Sequence, residues 1–174
     1  MRMKIMLVLR VASFLLSAAL MVTVSCQDGT ISTRLDFCPS PCGLPTISLG
    51  GKEYYIHTSS KETWFEAVKI CSVNQMKLLS IESAAENNMI KRVIATKALD
   101  MQFWTSGNDL ENEGTFIWRS TGQRVTFSDW EIGEPGNYDN VEHCVFIGNW
   151  GQKTIPMWHD ITCLKKFFFV CEKP

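Results

Sequence analysis

The chain has 174 residues, of which 45% are hydrophobic and 20% are charged, and its 17 basic residues nearly balance its 18 acidic ones. This length suits one domain, and the charge balance argues against a surface that binds nucleic acid or another polyanion. Seven cysteines in so short a chain indicate a disulfide framework if the protein is exported.

Residues 1–26 are predicted to be a secretory signal peptide. Three basic residues precede or flank an apolar run, and small residues follow it near Ser25. Cleavage after Cys26 leaves about 148 residues, with 14 basic residues, 18 acids and six cysteines, whereas cleavage after Ser25 leaves a seventh cysteine. An N-terminal anchor helix is the alternative, but the run is short for a membrane span. We therefore expect a secreted protein with no membrane span.

Residues 27–49 are predicted to be an irregular tail, because they contain three prolines and no apolar period. Pro39 and Pro41 favour extended backbone, which would place the α-carbons of Cys38 and Cys42 about 12 Å apart. A disulfide needs less than about 7 Å. We therefore expect these cysteines to bond to another chain, in a homodimer or a heterodimer with a related protein. A small intrachain loop around a proline turn is the alternative.

A strand and then a helix are predicted next. Residues 52–60 have the aromatic and branched side chains of a strand. The helix is predicted over 59–76, because Ser59 precedes Glu62 at the spacing of a capping box. Its apolar face includes Trp64, Val68 and Cys71.

A second helix is predicted within residues 80–99. Ser83 and Glu86 again have the spacing of a capping box. Ile90 and Ile94 lie four residues apart and share one apolar face.

Beyond Ala98 the helical pattern stops, and short aromatic-rich stretches broken by Gly, Asn and Asp predict strands. These stretches are 101–107, 115–118, 143–148, 157–163 and 167–172. Two helices followed by many short strands indicate an α+β fold. The long connections between Gly107 and Cys144 indicate a loop-rich half, and such loops commonly carry function.

Several motifs in this order resemble the C-type lectin domain. They are the helix with its cysteine, "FWTSG", "EGTFIW", "FSDW", "GEP…EHC", "WHDITC" and a final "FVCE". The resemblance covers residues 50–174 and is greatest to secreted single-domain C-type lectins of insects. It implies two helices, short antiparallel sheets and a long disulfide-held loop region. It also implies the disulfides Cys71–Cys171 and Cys144–Cys163.

The resemblance further implies a calcium site that also binds sugar. Glu134, Glu142 and Asp160 match the family's acids, and Pro135 matches its cis-proline. In the family, acids and amides hold the ion and hydrogen-bond two sugar hydroxyls, which the calcium also coordinates. This pairing suits hydroxyls because carboxylates accept hydrogen bonds while amides donate them.

Both amide positions of that site are changed in this chain. Gly136 and His159 fall where the family has asparagine, although Asn137 can substitute if the loop shifts by one residue. Three interpretations follow: a weakened calcium site with altered sugar preference, a protein-binding module without sugar, or a zinc site that combines His159 with the three acids. Alternatively, His159 is a surface histidine with no role in binding.

A second calcium position of the family is matched in part. Asp109 and Glu113 occupy it, with Asn137, Glu142 and His143 as further candidates. The last two amide or acid positions of this second site are substituted in the chain.

No nucleophile, zinc-protease or phosphate-loop motif occurs in the chain. Glu134 and Glu142 can be considered as an acid pair for glycoside hydrolysis, but their place in a metal loop disfavours this. We expect a secreted, non-enzymatic recognition protein of innate immunity that binds glycans of microbial or host surfaces, with avidity from dimerisation. The alternative is a metal-independent protein-binding module that acts through a disulfide-linked partner.

Overall fold

The computed structural model describes residues 22–23, 34–35, 44–96, 101–149 and 155–174. The chain divides into two units, Met1–Gly43 and Leu44–Pro174. In the first unit, β1 (Val22–Thr23) pairs with β2 (Arg34–Leu35) in an antiparallel ladder. The remainder of the predicted signal peptide, together with Cys38 and Cys42, lies outside the described residues. None of the helices in the described ranges is long and apolar enough to cross a bilayer.

The second unit contains two helices and a set of short strands, which confirms the predicted α+β class. The described elements in chain order are β3 (Ile47–Leu49), β4 (Lys52–Glu62), α1 (Trp64–Val73), β5 (Lys77–Leu78), α2 (Ala84–Ala95), β6 (Gln102–Asn108), β7 (Ile117–Trp118), a 3-10 turn (Tyr138–Asn140), β8 (Cys144–Gly148), β9 (Met157–Ile161) and β10 (Phe167–Glu172).

The strands of this unit form one sheet in the order β3-β4-β10-β6-β8-β9, with β5 paired to β10 and β7 paired to β6. The sheet is mixed, because β10 pairs in parallel with β6 through Phe168 and Phe103. The expectation of antiparallel sheets is therefore corrected at this one ladder. The C-terminal strand inserts between β4 and β6, and local patterns of hydrophobicity cannot reveal such a long-range pairing.

One strand was not predicted, and one helix begins later than predicted. The strand is Ile47–Leu49, which the sequence placed in the irregular tail. It pairs with β4 through a turn at Gly50 and Gly51, whose φ angles are +57° and +86°. Positive φ suits glycine because it lacks a β-carbon. The predicted capping residue of α1, Ser59, instead lies within β4.

The residue that caps α1 is Thr63, whose hydroxyl accepts a hydrogen bond from the backbone N–H of Glu66 at 3.3 Å. The prediction of Ser59 and Glu62 was wrong because Glu62 still pairs with Phe167 of β10. The same spacing of hydroxyl and acid recurs four residues later. The pairing of β4 with β10 therefore decides which of the two capping patterns begins the helix.

The start of α2 was predicted correctly. Ser83 accepts a hydrogen bond from the backbone N–H of Glu86 at 3.2 Å. The Glu86 side chain is buried and accepts hydrogen bonds from Tyr54 Oη at 2.6 Å and Lys52 Nζ at 2.9 Å. It also accepts one from the N–H of Glu82 at 3.0 Å. This glutamate therefore joins α2 to β4 as well as ordering the start of the helix.

Two hydrophobic clusters stabilise the unit. Ile90 and Ile94 of α2 pack into one cluster with Trp118 and Trp158. The other cluster joins α1 to β10 and contains the Cys71–Cys171 disulfide, with α-carbons 5.5 Å apart and a sequence separation of 100 residues. In the chain-entropy model, closing a loop of this length contributes about 4–5 kcal/mol to the free energy of unfolding. The disulfide thus links α1 covalently to β10, a strand of the sheet that carries the loop region.

Glu172 is a buried acid on β10. Its Oε1 atom accepts a hydrogen bond from the backbone N–H of Ser80 at 3.1 Å, and its Oε2 atom lies 3.9 Å from Lys52 Nζ. Burial outweighs these favourable contacts and raises the pKa of Glu172 to about 7 from an ordinary 4.5. Because the folded state then holds the proton more tightly than the unfolded state does, this group lowers the stability as the pH rises from about 4.5 to about 7.

We predict that Glu172→Gln raises the melting temperature relative to the parent at pH 8 and changes it little at pH 4.5. The amide stays neutral but still accepts the hydrogen bond from Ser80. Glu53→Gln is the control, because an ion pair with Lys173 lowers the pKa of Glu53 and this substitution should give no gain at pH 8. Calorimetric scans measure both. An equal effect of Glu172→Gln at the two pH values would contradict the prediction.

Candidate functional site

The loop between Glu131 and Cys144 is held against β9 at both ends. At its start, the N–H of Glu131 donates to the carbonyl of Trp158 at 2.9 Å, and the N–H of Trp158 donates to the carbonyl of Asp129 at 3.0 Å. At its end, Cys144 pairs with Ile161 of β9 and forms a disulfide with Cys163, with α-carbons 5.1 Å apart. Only the middle of the loop is therefore free of the strand ladder.

Helix α2 fixes the start of this loop. Trp158 donates its indole N–H to Asn87 Oδ1 at 2.9 Å. The side chains of Asn87 and Lys91 both donate to Asp129 Oδ2 at 2.6 Å. These supporting hydrogen bonds were not predicted, although Asp129 belongs to the "FSDW" motif and Trp158 to the "WHDITC" motif. Their contribution depends on the approach of α2, which no local spacing indicates.

Asp160 ties the middle of the loop to β9. Its Oδ1 atom accepts a hydrogen bond from the N–H of Gly136 at 2.8 Å, and its Oδ2 atom accepts one from the N–H of Asn137 at 3.0 Å. The side chain is buried. Both oxygens of one carboxylate thus hold two successive backbone groups, so the position of the loop depends directly on this acid.

The three predicted acids meet around Gly136. A β-carbon built on this glycine would lie 3.2 Å from Glu134 Oε2 and 3.9 Å from Glu142 Oε2, while Asp160 accepts from its N–H. The Glu134–Pro135 peptide bond is cis. Gly136 therefore lies beside all three acids, and the Glu134 carboxylate would crowd a β-carbon at this position.

Asn137 and Glu142 stabilise the same loop through each other. The N–H of Glu142 donates to Asn137 Oδ1 at 3.3 Å, and Glu142 Oε2 accepts from the N–H of Tyr138 at 2.8 Å. Asn137 has a φ angle of +41°, a left-handed conformation that asparagine tolerates better than most residues. The Asn137 carboxamide oxygen is thus already bonded to the backbone of Glu142, and its substitution for the missing amide at position 136 stays a prediction.

The closeness of the acids alters the acidity of Glu134. Burial raises the pKa of Glu134 to about 7, with further contributions from its hydrogen bond and charge interaction with Asp160 and from the charge of Glu142. Like charges in a partly buried site disfavour full ionisation. A proton or a cation therefore stabilises this group of acids.

His159 is buried rather than a surface histidine, so that interpretation of the sequence is corrected. Its Nδ1 atom lies 3.2 Å from Glu134 Oε1. Its ring stacks on Phe146, with centroids 4.9 Å apart and planes inclined by 10°. The strand alternation of β9 turns His159 towards Phe146 and the core, but its ring edge still reaches Glu134.

Asp109 and Glu113, the predicted residues of the second calcium position, lie next to His143. The Nδ1 atom of His143 is 3.1 Å from Asp109 Oδ1 and 3.3 Å from Glu113 Oε2. Among the residues that the structure describes, this is the group that brings three His, Cys or acid ligand atoms within 4.8 Å of one another. Asn137 and Glu142 were also considered for this position. They make their contacts within the loop between Glu131 and Cys144, here called the first loop, instead.

The acids beside Gly136, here called the first cluster, carry the negative charge that suits calcium. Their set of oxygen ligands is incomplete. Glu134, Glu142 and Asp160 supply the hard oxygen atoms that calcium prefers, and Asn137 brings a carboxamide oxygen. Gly136 has no side chain, and His159 presents a nitrogen, which is a poor ligand for a hard cation. The arrangement therefore offers fewer oxygen ligands than calcium normally takes, and its acidic and imidazole ligand atoms are not among those that lie within 4.8 Å of one another in the described residues.

Comparison with known proteins gives consistent matches. The Lectin C-type domain matches residues 60–173. The chain is 35% identical over 144 residues to lectin subunit alpha of Sarcophaga peregrina, covering 76% of this chain and 49% of that protein. It is 31% identical over 170 residues to salivary C-type lectin 2 of Aedes albopictus, covering 91% of this chain and 96% of that one. The chain thus spans about half the length of the first relative and nearly all of the second.

Solved structures give the same fold. The carbohydrate-recognition domain of mouse scavenger receptor C-type lectin superposes with a TM-score of 0.65 at 25% identity, covering 77% of this chain and 97% of that domain. The C-type lectin domain of murine dendritic cell inhibitory receptor 2, solved in complex with an N-glycan, gives a TM-score of 0.64 at 25% identity, with coverage of 76% and 97%. Each of these recognition domains is therefore matched over nearly its whole length.

Proposed function

The chain belongs to the C-type lectin family, and we propose that it is a secreted protein that binds carbohydrate through a weakened calcium-dependent site. The site consists of Glu134, Asn137, Glu142 and Asp160, with His159 beside it. As a member of this family the chain is a recognition protein and not an enzyme. The proposed ligands are glycans of microbial or host surfaces, and the proposed role is innate immunity.

The observation that supports this proposal is the meeting of three carboxylates around Gly136. Burial, and then the proximity of Asp160 and Glu142, raises the pKa of Glu134 to about 7, so a cation bound between the acids would relieve the repulsion between them. Calcium held by Glu134, Glu142 and Asp160 would supply direct coordination of sugar hydroxyls. The murine receptor domain in complex with an N-glycan is a match in which the same fold carries sugar.

The two changed amide positions determine how sugar is bound. A hydroxyl group both donates and accepts hydrogen bonds, so the site needs donors as well as carboxylate acceptors. Gly136 supplies no side-chain donor, and its N–H already bonds to Asp160. His159 lies against Glu134. The site is therefore expected to bind sugars weakly and with a preference different from that of lectins that retain both amides.

One contact favours the rival function of a metal-independent protein-binding module. His159 Nδ1 lies 3.2 Å from Glu134 Oε1, and a protonated imidazole there would neutralise one of the acids that would otherwise hold calcium. In this rival proposal the loop is stable without a metal and presents its surface to a protein partner. The two functions therefore differ in whether calcium changes the stability of the loop.

We predict that the parent protein binds calcium with a dissociation constant of about 10⁻⁴–10⁻³ M, the range of weak extracellular calcium modules. It should bind glycans only while calcium is present. Calorimetry measures the calcium, and a glycan panel with and without chelator measures the sugar. Gly136→Asn combined with His159→Asn should strengthen hexose binding by at least about tenfold, because two neutral donors and oxygen ligands return.

Asp139→Asn is the matched control, since Asp139 is an exposed acid of the same loop and is not one of the proposed ligands. It should leave calcium and sugar binding unchanged. Melting temperatures verify that both variants fold. If neither the parent nor the double variant shows calcium heat or glycan retention, the sugar proposal fails and the protein-binding module takes its place.

Avidity would come from the tail that precedes this domain. We propose that Cys38 and Cys42 link two copies of the chain, or this chain and a related lectin, so that weak sites act together. The secreted protein should then migrate at about twice its monomer mass on a non-reducing gel and shift to the monomer after reduction. Cys38→Ser with Cys42→Ser should give the monomer in both lanes. A parent protein that migrates as a monomer without reductant would contradict the linkage.

A further inference from the structure

We propose that Asp109, Glu113 and His143 form a zinc-binding site, separate from the loop that is proposed to bind sugar. This inference goes beyond the proposed function and replaces the expectation of a second calcium ion at this position. It rests on the placement of the three ligand atoms and on their chemical types.

The spacing of the ligand atoms suits a small tetrahedral ion. Zinc binds histidine nitrogen and carboxylate oxygen at about 2.0–2.2 Å, so two ligands of one tetrahedral ion lie about 3.4 Å apart. His143 Nδ1 lies 3.1 Å from Asp109 Oδ1 and 3.3 Å from Glu113 Oε2. All three ligand atoms lie within 4.8 Å of one another. Small side-chain movements therefore complete the coordination.

The backbone holds two of the three ligands in place. The N–H of Asp109 donates to the carbonyl of His143 at 3.1 Å, and the N–H of His143 donates to the carbonyl of Ile161 at 3.2 Å. His143 also precedes Cys144, which the disulfide to Cys163 secures. The two ligands thus face each other across the end of the β6–β8 ladder, with little freedom to separate.

The carboxylate of Asp109 is oriented for a ligand. Its side chain is fully buried, with 0% exposure, and its Oδ2 atom accepts a hydrogen bond from the N–H of Gly114 at 2.7 Å. This bond directs the other oxygen, Oδ1, towards His143. Supporting contacts of this kind orient metal ligands and raise the affinity of a site.

Glu113 provides the open side of the site. Its side chain is 53% exposed, so an ion reaches the cluster from solvent. Three protein ligands leave the fourth position of a tetrahedral zinc ion for water or for a donor atom from a bound molecule. The site therefore has the form of an accessible zinc site rather than of a closed structural one.

The ligand types favour zinc over calcium. Calcium takes six to eight oxygen atoms, whereas this cluster offers two acids and an imidazole nitrogen. Imidazole suits zinc and other first-row transition metals. The competing arrangement is an ion pair, in which protonated His143 lies between the two acids and no metal binds, and the experiment must separate these two states.

The test is a calorimetric titration of the full secreted chain with zinc chloride, in buffer that contains calcium chloride. Any free thiol in the preparation is alkylated beforehand so that thiolates do not compete. We expect one zinc ion per chain in the described domain. His143→Ala should weaken its binding by at least about tenfold. His143→Asp should also lose zinc, and should gain a calcium-dependent rise in melting temperature because its ligands are then all oxygen.

Glu113→Gln and Glu111→Gln form a matched pair, since both acids are exposed in the same loop and only Glu113 faces His143. Glu113→Gln should weaken zinc binding while Glu111→Gln should not, and this comparison decides the matter if the His143 variants do not fold. A parent with no zinc heat overturns the proposal and leaves an ion pair only. Binding that survives His143→Ala but is lost in His159→Asn also overturns it, because the ion then lies in the first loop. No sugar enters the titration, so its outcome is independent of the proposed glycan binding.

Discussion

The hydrogen bonds from the N–H groups of Gly136 and Asn137 to the carboxylate of Asp160 are the contact on which the loop region depends. They bring the middle of a long loop onto β9, within reach of the sheet that the two disulfides and α2 hold together. The same loop carries Glu134 and Glu142, whose carboxylates lie beside Gly136. Burial, together with Asp160 and the charge of Glu142, raises the pKa of Glu134, so the geometry that orders the loop disfavours full ionisation of its acids.

Both candidate metal positions share one departure from an all-oxygen set of ligands. In the first, His159 Nδ1 lies 3.2 Å from Glu134 Oε1; in the second, His143 Nδ1 lies 3.1 Å from Asp109 Oδ1. The two histidines differ in their surroundings, and the metal that each position would bind differs for that reason. His159 is buried against Phe146, whereas the second cluster opens to solvent through Glu113. The first position therefore keeps an excess of carboxylate oxygen, while the second gains a ligand that suits a transition metal.

The sequence predicted those features that depend on local pattern. The strands from β6 to β10 follow from short aromatic-rich stretches broken by Gly, Asn and Asp, and the start of α2 at Ser83 follows from its capping pattern. The acids of the first site and the pairing of the cysteines followed from the resemblance to C-type lectins, because composition and spacing alone leave several pairings open.

The features that the sequence did not predict depend on long-range contacts. Thr63 caps α1 instead of Ser59 because β4 continues as far as its pairing with β10. The parallel pairing of β10 with β6 joins segments more than 60 residues apart. The sequence named His143 only as a further candidate, because its approach to Asp109 depends on the backbone contact between the ends of β6 and β8. The orientation of His159 depends in the same way on the packing of its ring against Phe146.

The most direct test of the central claim is a pH titration of the Glu134 side-chain carboxyl carbon by NMR, with and without calcium. If the acids converge and bind a cation, Glu134 titrates near pH 7 in the absence of calcium, and its apparent pKa falls well below that value when calcium is added. A Glu134 that titrates near its ordinary 4.5, and does not respond to calcium, would show that the acids neither crowd one another nor share an ion.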